Sequence, residues 1–192
     1  MSARGLDEGL APTGHGGRRG LLTPGNKAVY PGQGPCRVGF VVKRVVDTRV
    51  MTFYHLTMLD DNRGDLYVPV DKARAIGVRA LMKKSEIPGL LAQLRKSARV
   101  VDNWKQRGTD NAKMFASGSP RDLAEVVASL TELGDTRSLT LGESGTLGRA
   151  RRQLICEISE VMGETRAAAE GLVDNALNGR RASNRAPRSA DK

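Results

Sequence analysis

Polar and apolar positions alternate along the chain from Ala28 to Val70, which is the periodicity of β-strands. Stretches rich in valine and aromatic residues are separated by clusters of turn-forming residues. These stretches predict short strands at about 28–30, 36–46, 50–59 and 66–70. Four or five short strands in about 45 residues are typical of a small, curled SH3-like barrel.

The longest predicted strand presents its side chains alternately to two faces. Val38, Phe40 and Val42 are predicted to share one face, and Val41 to lie on the other. The polar residues at 47–49 predict a turn into the next strand. The two strands are therefore expected to form a hairpin.

From Ser85 onward the apolar positions recur every three or four residues, which predicts helices. The second of about five helices is expected to span about 98–116 and to contain Trp104. Gly134 is expected to end the third helix. Polar residues typical of helix N-termini mark the starts, namely Ser85, Ser119 before a proline, Thr140 with Glu143 in a capping box, and Thr165. Pro88 and Gly89 indicate a late or broken start for the helix after Ser85.

The change of period divides the chain into two domains of an α+β fold, flanked by two tails. A small SH3-like β-barrel is predicted for residues 27–84, and a compact all-helical domain for residues 85–178. Residues 1–26 are rich in glycine, and residues 179–192 contain no large apolar side chain. Both ends are therefore expected to be disordered.

The chain is strongly basic, with 31 Lys and Arg residues against 21 Asp and Glu residues and a net charge of +10. This charge favours a polyanionic partner, of which nucleic acid is the commonest. An incidentally basic surface is the alternative, because the last 15 residues alone hold five cations and one anion. The charge therefore supports a nucleic-acid partner without locating its site.

The sequence contains no pattern typical of a catalytic, metal-binding or membrane protein. Cys36 and Cys156 lie far apart, and with only His15 and His55 beside them no zinc site is predicted. The chain has no phosphate-binding glycine loop and no convincing Ser/His/Asp arrangement. It has no apolar run of the roughly 18 residues that span a membrane, and no signal-like start. We therefore expect a cytoplasmic, non-enzymatic protein with reduced thiols and no cofactor.

The single tryptophan, Trp104, stands among polar and charged residues. The chain has few other rings, with three tyrosines and three phenylalanines. A tryptophan in this setting packs in a core, as most do, or it wedges against bases while Lys105 and Arg107 hold phosphates. The residues alone favour core packing, with the wedge as the alternative.

Several short motifs occur in the order and approximate spacing of one family. They are Val29-Tyr-Pro-Gly-Gln-Gly34, Tyr67-Val-Pro-Val70, Ile76-Gly-Val-Arg79, Asn103-Trp104 and Leu139-Thr-Leu-Gly-Glu143. Each motif is weak alone, but together they form a strong composite. From about Lys27 to Leu177 the chain resembles the CarD/CdnL family of bacterial transcription regulators.

This resemblance implies two interfaces. The β region would be the RNA polymerase-interacting domain, an SH3/Tudor-like fold that docks on the polymerase β subunit. The helical domain would face promoter DNA at the upstream edge of the transcription bubble, where a tryptophan wedges into the minor groove without reading sequence. The factor would prolong the open promoter complex without catalysis, and a monomer suits this geometry.

Carried over position by position, the resemblance implies two sets of site residues. The DNA-binding set is the wedge and nearby cations, namely Trp104, Lys105, Arg107, Arg149, Arg151 and Arg152. Helical spacing puts Arg149 and Arg152 on one face and Arg151 about 100° away from Arg152. The polymerase-binding set contains Arg44, with Tyr67 or Arg63 in place of a second interface arginine.

Two other functions remain compatible with these residues. A general nucleic-acid-binding protein would use the barrel on RNA or duplex DNA directly, and it would bind free DNA with a steep salt dependence. A polymerase-binding adaptor would make no DNA contact, and Trp104 would then belong to the core.

Overall fold

A computed structural model describes residues 22–60, 64–96, 98 and 103–185, with side chains as far as residue 180. The predicted N-terminal extension as far as residue 21, the predicted site residue Arg63, and tail residues 186–192 lie outside the described residues. The described chain follows the predicted change of period, because an antiparallel sheet comes first and a group of helices follows it.

The N-terminal region forms a five-stranded antiparallel sheet in the order β4-β3-β2-β1-β5. The strands span Lys27–Tyr30 (β1), Gly34–Val46 (β2), Arg49–Met58 (β3), Asp65–Pro69 (β4) and Arg79–Ala80 (β5), and a short helix, α1, spans Ala73–Ile76. The predicted strands are all present. The short strand β5 lacks the hydrophobic run that would predict a strand. It joins the sheet by pairing with Ala28 and Val29 of β1.

A β-bulge in β2 changes the predicted alternation of side chains. The register of β2 against β3 shifts between Val38 and Val41, so Val38 is fully buried while Phe40 is 61% exposed. The prediction that Val38 and Phe40 share a face is therefore wrong. At the bulge the backbone of Gly39 lies against the side chain of His55. Only glycine fits there without a shift, because a Cβ at this position would lie 2.8 Å from Nδ1 of His55.

The predicted hairpin turn is confirmed at Asp47 and Thr48, between the paired residues Val46 and Arg49. Both turn residues have positive φ angles, 47° and 68°. A two-residue turn of this kind matches the twist of the flanking strands. The β2–β3 hairpin is therefore closed by backbone geometry that β-branched residues such as threonine adopt only under strain.

The C-terminal region is helical, as predicted. A 3-10 turn at Lys84–Glu86 leads into five helices: Ile87–Arg95 (α2), Trp104–Ser117 (α3), Pro120–Thr136 (α4), Leu141–Met162 (α5) and Arg166–Arg185 (α6). Their apolar faces meet in one core, whose fully buried side chains include Leu94, Leu123, Leu130, Leu154 and Ile158. Burial of each such side chain contributes roughly 1.5–3 kcal/mol.

Three of the predicted helix N-caps are confirmed. Ser119, Thr140 and Thr165 each accept a hydrogen bond from a backbone N–H in the first turn of the following helix. Ser85 lies inside the 3-10 turn and does not cap α2, whose N-cap is Glu86. Helix α2 therefore has the late start that Pro88 and Gly89 indicate, and the predicted cap at Ser85 is wrong.

Two helices end further along the chain than predicted. Helix α4 continues past Gly134 to Thr136, because Gly134 does not adopt the positive φ that would end a helix there. Helix α6 continues past the predicted boundary at residue 178. Arg180 is only 1% exposed and donates to the Ala128 carbonyl at 2.7 Å. The first residues of the predicted basic tail therefore belong to the helical domain.

Candidate nucleic-acid and protein interfaces

Trp104 is the first residue of α3, and 69% of it is exposed. Asn103 caps the helix, because its side-chain oxygen accepts from the backbone N–H groups of Lys105 and Gln106 at 3.0 and 3.2 Å. The Lys105 ammonium lies 5.5 Å from the centre of the Trp104 ring. The indole is therefore outside the core and is presented on a fixed helix start.

Arg107 follows Trp104 by one helical turn but is buried. Only 6% of it is accessible, and its Nε and Nη2 atoms donate to Oε1 of Glu143 at 3.1 and 2.8 Å. This geometry does not support the predicted phosphate contact, because the guanidinium faces a carboxylate inside the domain. Arg107 instead ties the start of α3 to the start of α5.

Glu143 is the carboxylate that both helix starts share. It accepts from Nη2 of Arg137 at 2.9 Å and from the backbone N–H of Thr140 at 2.9 Å. Burial opposes its ionisation, but the hydrogen bonds from Thr140, Arg137 and Arg107 outweigh that effect and lower the pKa of Glu143 to about 2. At neutral pH the ionised carboxylate therefore links the first turn of α3 to the first turn of α5.

The three predicted DNA-binding arginines of α5 have different environments. Arg151 donates to Glu170 at 2.7 Å and to Asp174 at 2.5 Å, both on α6. Desolvation acts in the opposite direction, but these bonds raise the pKa of Arg151. Arg149 and Arg152 are exposed. These two arginines remain candidates for DNA contact, whereas Arg151 holds α6 against α5.

On the sheet, Arg44 and Tyr67 are in contact. The guanidinium carbon of Arg44 lies 3.8 Å from the centre of the Tyr67 ring, a cation–π arrangement. The contacts continue through the ring of His55, 5.1 Å from that of Tyr67, to the ring of Phe40, 4.9 Å from His55. We call Arg44, Tyr67, His55 and Phe40 the ring cluster.

The ring cluster lies on the outer face of the sheet. The adjacent residues Leu56 and Val68 are buried in the core, at 0% and 3% exposure, and consecutive side chains of a strand point to opposite faces. Strand β4, which carries Tyr67, is at the edge of the sheet. The ring cluster therefore reaches the edge of the sheet, where unpaired backbone groups and exposed rings can both contact another protein.

Sequence reasoning missed Phe40 and the carboxylate partners of the arginines. The sequence signal for Phe40 is the preceding Gly39, which permits the bulge that exposes the ring. The capping box identifies Glu143 only as a cap. Its contact with Arg107 joins residues 36 positions apart, and no local pattern predicts such a pair.

The described residues include no helix that is both long and apolar enough to cross a membrane. Nor do their His, Cys, Asp and Glu side chains form a group of three or more that would hold a metal ion. Cys36 and Cys156 are free and buried. Burial raises the pKa of Cys36 to about 11 and that of Cys156 to about 12, so the reactive thiolate is scarce at neutral pH.

Comparison with known proteins assigns both regions of the chain. Residues 22–82 match the family model for the CarD-like/TRCF RID domain, and residues 89–174 match that for the CarD C-terminal domain. The solution NMR structure of the 72-residue N-terminal domain of Myxococcus xanthus CarD is 33% identical. The match covers 38% of this chain and 92% of that chain, with a TM-score of 0.27. No curated protein sequence matches the chain.

The two matched segments follow one another and are separated only by residues 83–88, which hold the 3-10 turn and the start of α2. The first contains the five-stranded sheet and the ring cluster, and the second contains Trp104 and most of the helical core. Each region therefore matches a different domain of the same family. The chain belongs to the CarD/CdnL family and is a transcription regulator that interacts with RNA polymerase.

Proposed function

We propose that this protein prolongs the open promoter complex while it is bound to the β subunit of RNA polymerase. The ring cluster and the edge of β4 contact the polymerase, and Trp104 wedges into the minor groove at the upstream edge of the bubble. The match to the RID domain supports the β-subunit contact. The DNA contact rests on one observation, the 69% exposure of Trp104 at a capped helix start.

The physical basis is the difference between open and closed promoter DNA. Unstacking a base step costs about a few kcal/mol, and an apolar wedge in that step opposes restacking. A stabilisation of only about 1.4 kcal/mol changes the ratio of open to closed complex roughly tenfold. Lys105, Arg149 and Arg152 are exposed and supply cations for phosphates, which position a protein on DNA without reading its sequence.

The test measures the lifetime of open complexes on one promoter with the cognate polymerase, using wild-type protein, Trp104→Ala and Trp104→Phe. We expect wild type to prolong the complex, the alanine variant to lose most of this effect, and the phenylalanine variant to keep part of it. Thermal unfolding provides the control, because an exposed side chain contributes little to stability. Equal lifetimes with wild type and a folded alanine variant would refute the wedge.

A general nucleic-acid-binding protein is the second candidate, and the net charge of +10 favours it. Such a protein binds free duplex DNA alone, with a steep dependence on salt. The proposed function instead predicts weak binding until polymerase raises the effective concentration of the protein at the promoter. Tight binding to free DNA at moderate salt would favour this second candidate.

A further inference from the structure

A single arginine joins the sheet to two helices of the other domain. Arg79, in β5, donates from Nη1 to Oε1 of Glu157 at 2.7 Å and from Nη2 to Oε2 at 2.8 Å. Both oxygens of the α5 carboxylate are therefore engaged in a bidentate pair, a strong and directional arrangement for arginine. The hydrophobic periodicity and the helix caps of the sequence do not predict the Arg79–Glu157 contact, because the two residues are 78 positions apart.

Glu157 is deeply buried at this junction. Only 1% of its side chain is accessible, against 26% for that of Arg79. Oε1 of Glu157 also accepts from the backbone N–H of Met82 at 2.8 Å, in the segment that connects β5 to the helices. A buried carboxylate needs such partners, because an unpaired buried charge is strongly destabilising.

Arg79 also holds the end of the helix that carries Trp104. Its Nε and Nη2 atoms donate to the carbonyl of Gly118, the C-cap of α3, at 2.8 and 2.5 Å. Gly118 has a φ of 65°, and a Cβ there would lie 2.9 Å from Cα of Pro31 in the β domain. The end of α3 is therefore packed tightly against the sheet domain.

Helix α3 is thus linked to α5 at both of its ends. Near its start Arg107 donates to Glu143, and at its end the Gly118 carbonyl shares Arg79 with Glu157. Only the second link includes a residue of the sheet domain. Arg79 therefore couples the position of α3 to that of the sheet through hydrogen bonds, in addition to the packing of Gly118 on Pro31.

Further contacts join the two domains, among them Arg166 on α6, which donates to the Leu59 carbonyl. Nε2 of Gln153 donates to the Gly32 carbonyl at 2.9 Å. Lys27 pairs with Glu160 at 2.6 Å, but the lysine side chain is 36% exposed, and exposed ion pairs contribute little. The Arg79–Glu157 pair is the most buried of these ion pairs, which makes it the strongest candidate for fixing the domain orientation.

We propose that Arg79 and Glu157 are positioning residues that hold Trp104 at a set distance and angle from the polymerase-binding face of the sheet. This inference rests on the proposed function. A tethered wedge is effective when its bound geometry is preformed, because a mobile domain loses effective concentration and must be ordered on binding. Neither residue contacts polymerase or DNA in this scheme.

The first experiment measures domain orientation without polymerase or DNA. Spin labels are attached at Arg49→Cys in β3 and Ala112→Cys in α3, both exposed positions, and the distance distribution between them is recorded. The native Cys36 and Cys156 are buried, and labelling a protein without the introduced cysteines checks that they stay unmodified. Arg79→Lys and Arg79→Ala are compared with wild type, and Arg74→Lys on α1 is the matched control for a conservative change at an exposed arginine.

We expect a narrow distribution for wild type and Arg74→Lys and a broad one for both Arg79 variants. A narrow distribution in the folded Arg79→Lys and Arg79→Ala variants would overturn the proposal. The lysine variant keeps the charge but loses the bidentate fork and the bond to Gly118, so it tests the geometry even when the alanine variant unfolds. Near-ultraviolet circular dichroism establishes that each variant is folded.

The second experiment measures function with the same proteins. Polymerase affinity is expected to be unchanged, while the open-complex lifetime falls at least about fivefold, the low end of typical coupling between two sites. A broad distance distribution with an undiminished lifetime would refute the positioning role. When wild type itself has no effect on lifetime, the proposed function fails, and the distance measurement still decides whether Arg79 fixes the domain orientation.

Discussion

The ring cluster on the sheet and Trp104 on α3 expose aromatic surface in two different ways. In the ring cluster each aromatic ring has a neighbour in the same cluster, with centre-to-centre distances of 4.9 and 5.1 Å. Trp104 projects from a helix start, and the cation–π neighbour of its ring is Lys105 at 5.5 Å. The first arrangement offers a preformed face, whereas the second offers one protruding ring.

This difference extends to how each surface is supported. The ring cluster is stabilised within the surface itself, by contacts such as that of Arg44 with Tyr67. Among the described residues Trp104 has no such cluster, and the buried Arg107–Glu143 pair joins the first turns of α3, which carries Trp104, and α5. A surface of several neighbouring side chains suits contact with a folded protein. A single projecting ring suits insertion between DNA bases. Exposed rings such as Tyr67 and Trp104 are therefore suited to make the contacts, whereas a buried pair such as Arg107–Glu143 fixes the helix that carries Trp104.

The largest effect is expected from Arg107→Ala, which removes the buried link between the first turns of α3 and α5. We expect the free energy of unfolding to fall by roughly 3 kcal/mol, because a buried pair is broken, as measured by denaturant titration. Lys105 is exposed and lies two residues earlier, so Lys105→Ala should leave the free energy of unfolding unchanged. It should lower the slope of log binding constant against log salt concentration by about 1, the loss of one phosphate contact. An Arg107→Ala protein of normal stability with the same loss of salt dependence would show that Arg107 contacts DNA.

The next largest effect is expected on the pH dependence of the unfolding free energy, to which Glu143 contributes. The pKa of Glu143 in the folded protein is about 2, below its ordinary value of 4.5, so the ionised form stabilises the fold. This contribution is fully present above about pH 4.5 and is lost as the pH falls towards 2.

Glu143→Gln should therefore be less stable than wild type by roughly 1–3 kcal/mol at neutral pH. The difference in unfolding free energy, measured by denaturant titration from pH 7 downward, should shrink below about pH 4.5. Trp104→Ala is the control, since its difference from wild type should not change with pH in this window. A Glu143→Gln deficit that stays constant at all pH values would contradict this prediction.

The smallest effect is expected on the sheet, where several side chains share the contact. Tyr67→Ala removes the ring beneath Arg44 and should weaken binding to polymerase roughly five- to tenfold, as measured by titration calorimetry. Lys72→Ala is the matched exposed control and should bind as wild type does. Unchanged affinity of the Tyr67 variant would place the polymerase contact elsewhere on the sheet.

The periods and caps along the chain were enough to predict most of the architecture. The strands, the hairpin turn at Asp47 and Thr48, and the caps at Ser119, Thr140 and Thr165 are all present. These features depend on residues within about four positions of one another, so a local pattern contains the information that they need. The same information does not reveal β5, whose two residues form a strand only because β1 is available to pair with them.

Tertiary structure decided which side chains reach the surface. The residues alone favoured core packing for Trp104, and the family resemblance grouped Arg107 and Arg151 with the phosphate-binding cations. In the fold, Trp104 is exposed, while the two arginines donate to carboxylates 36 and at least 19 positions away. An arginine contacts phosphate or a carboxylate according to what the fold brings beside it. That neighbour comes from a distant part of the chain, so the sequence determined the helices and strands, and their packing determined the roles of their charged side chains.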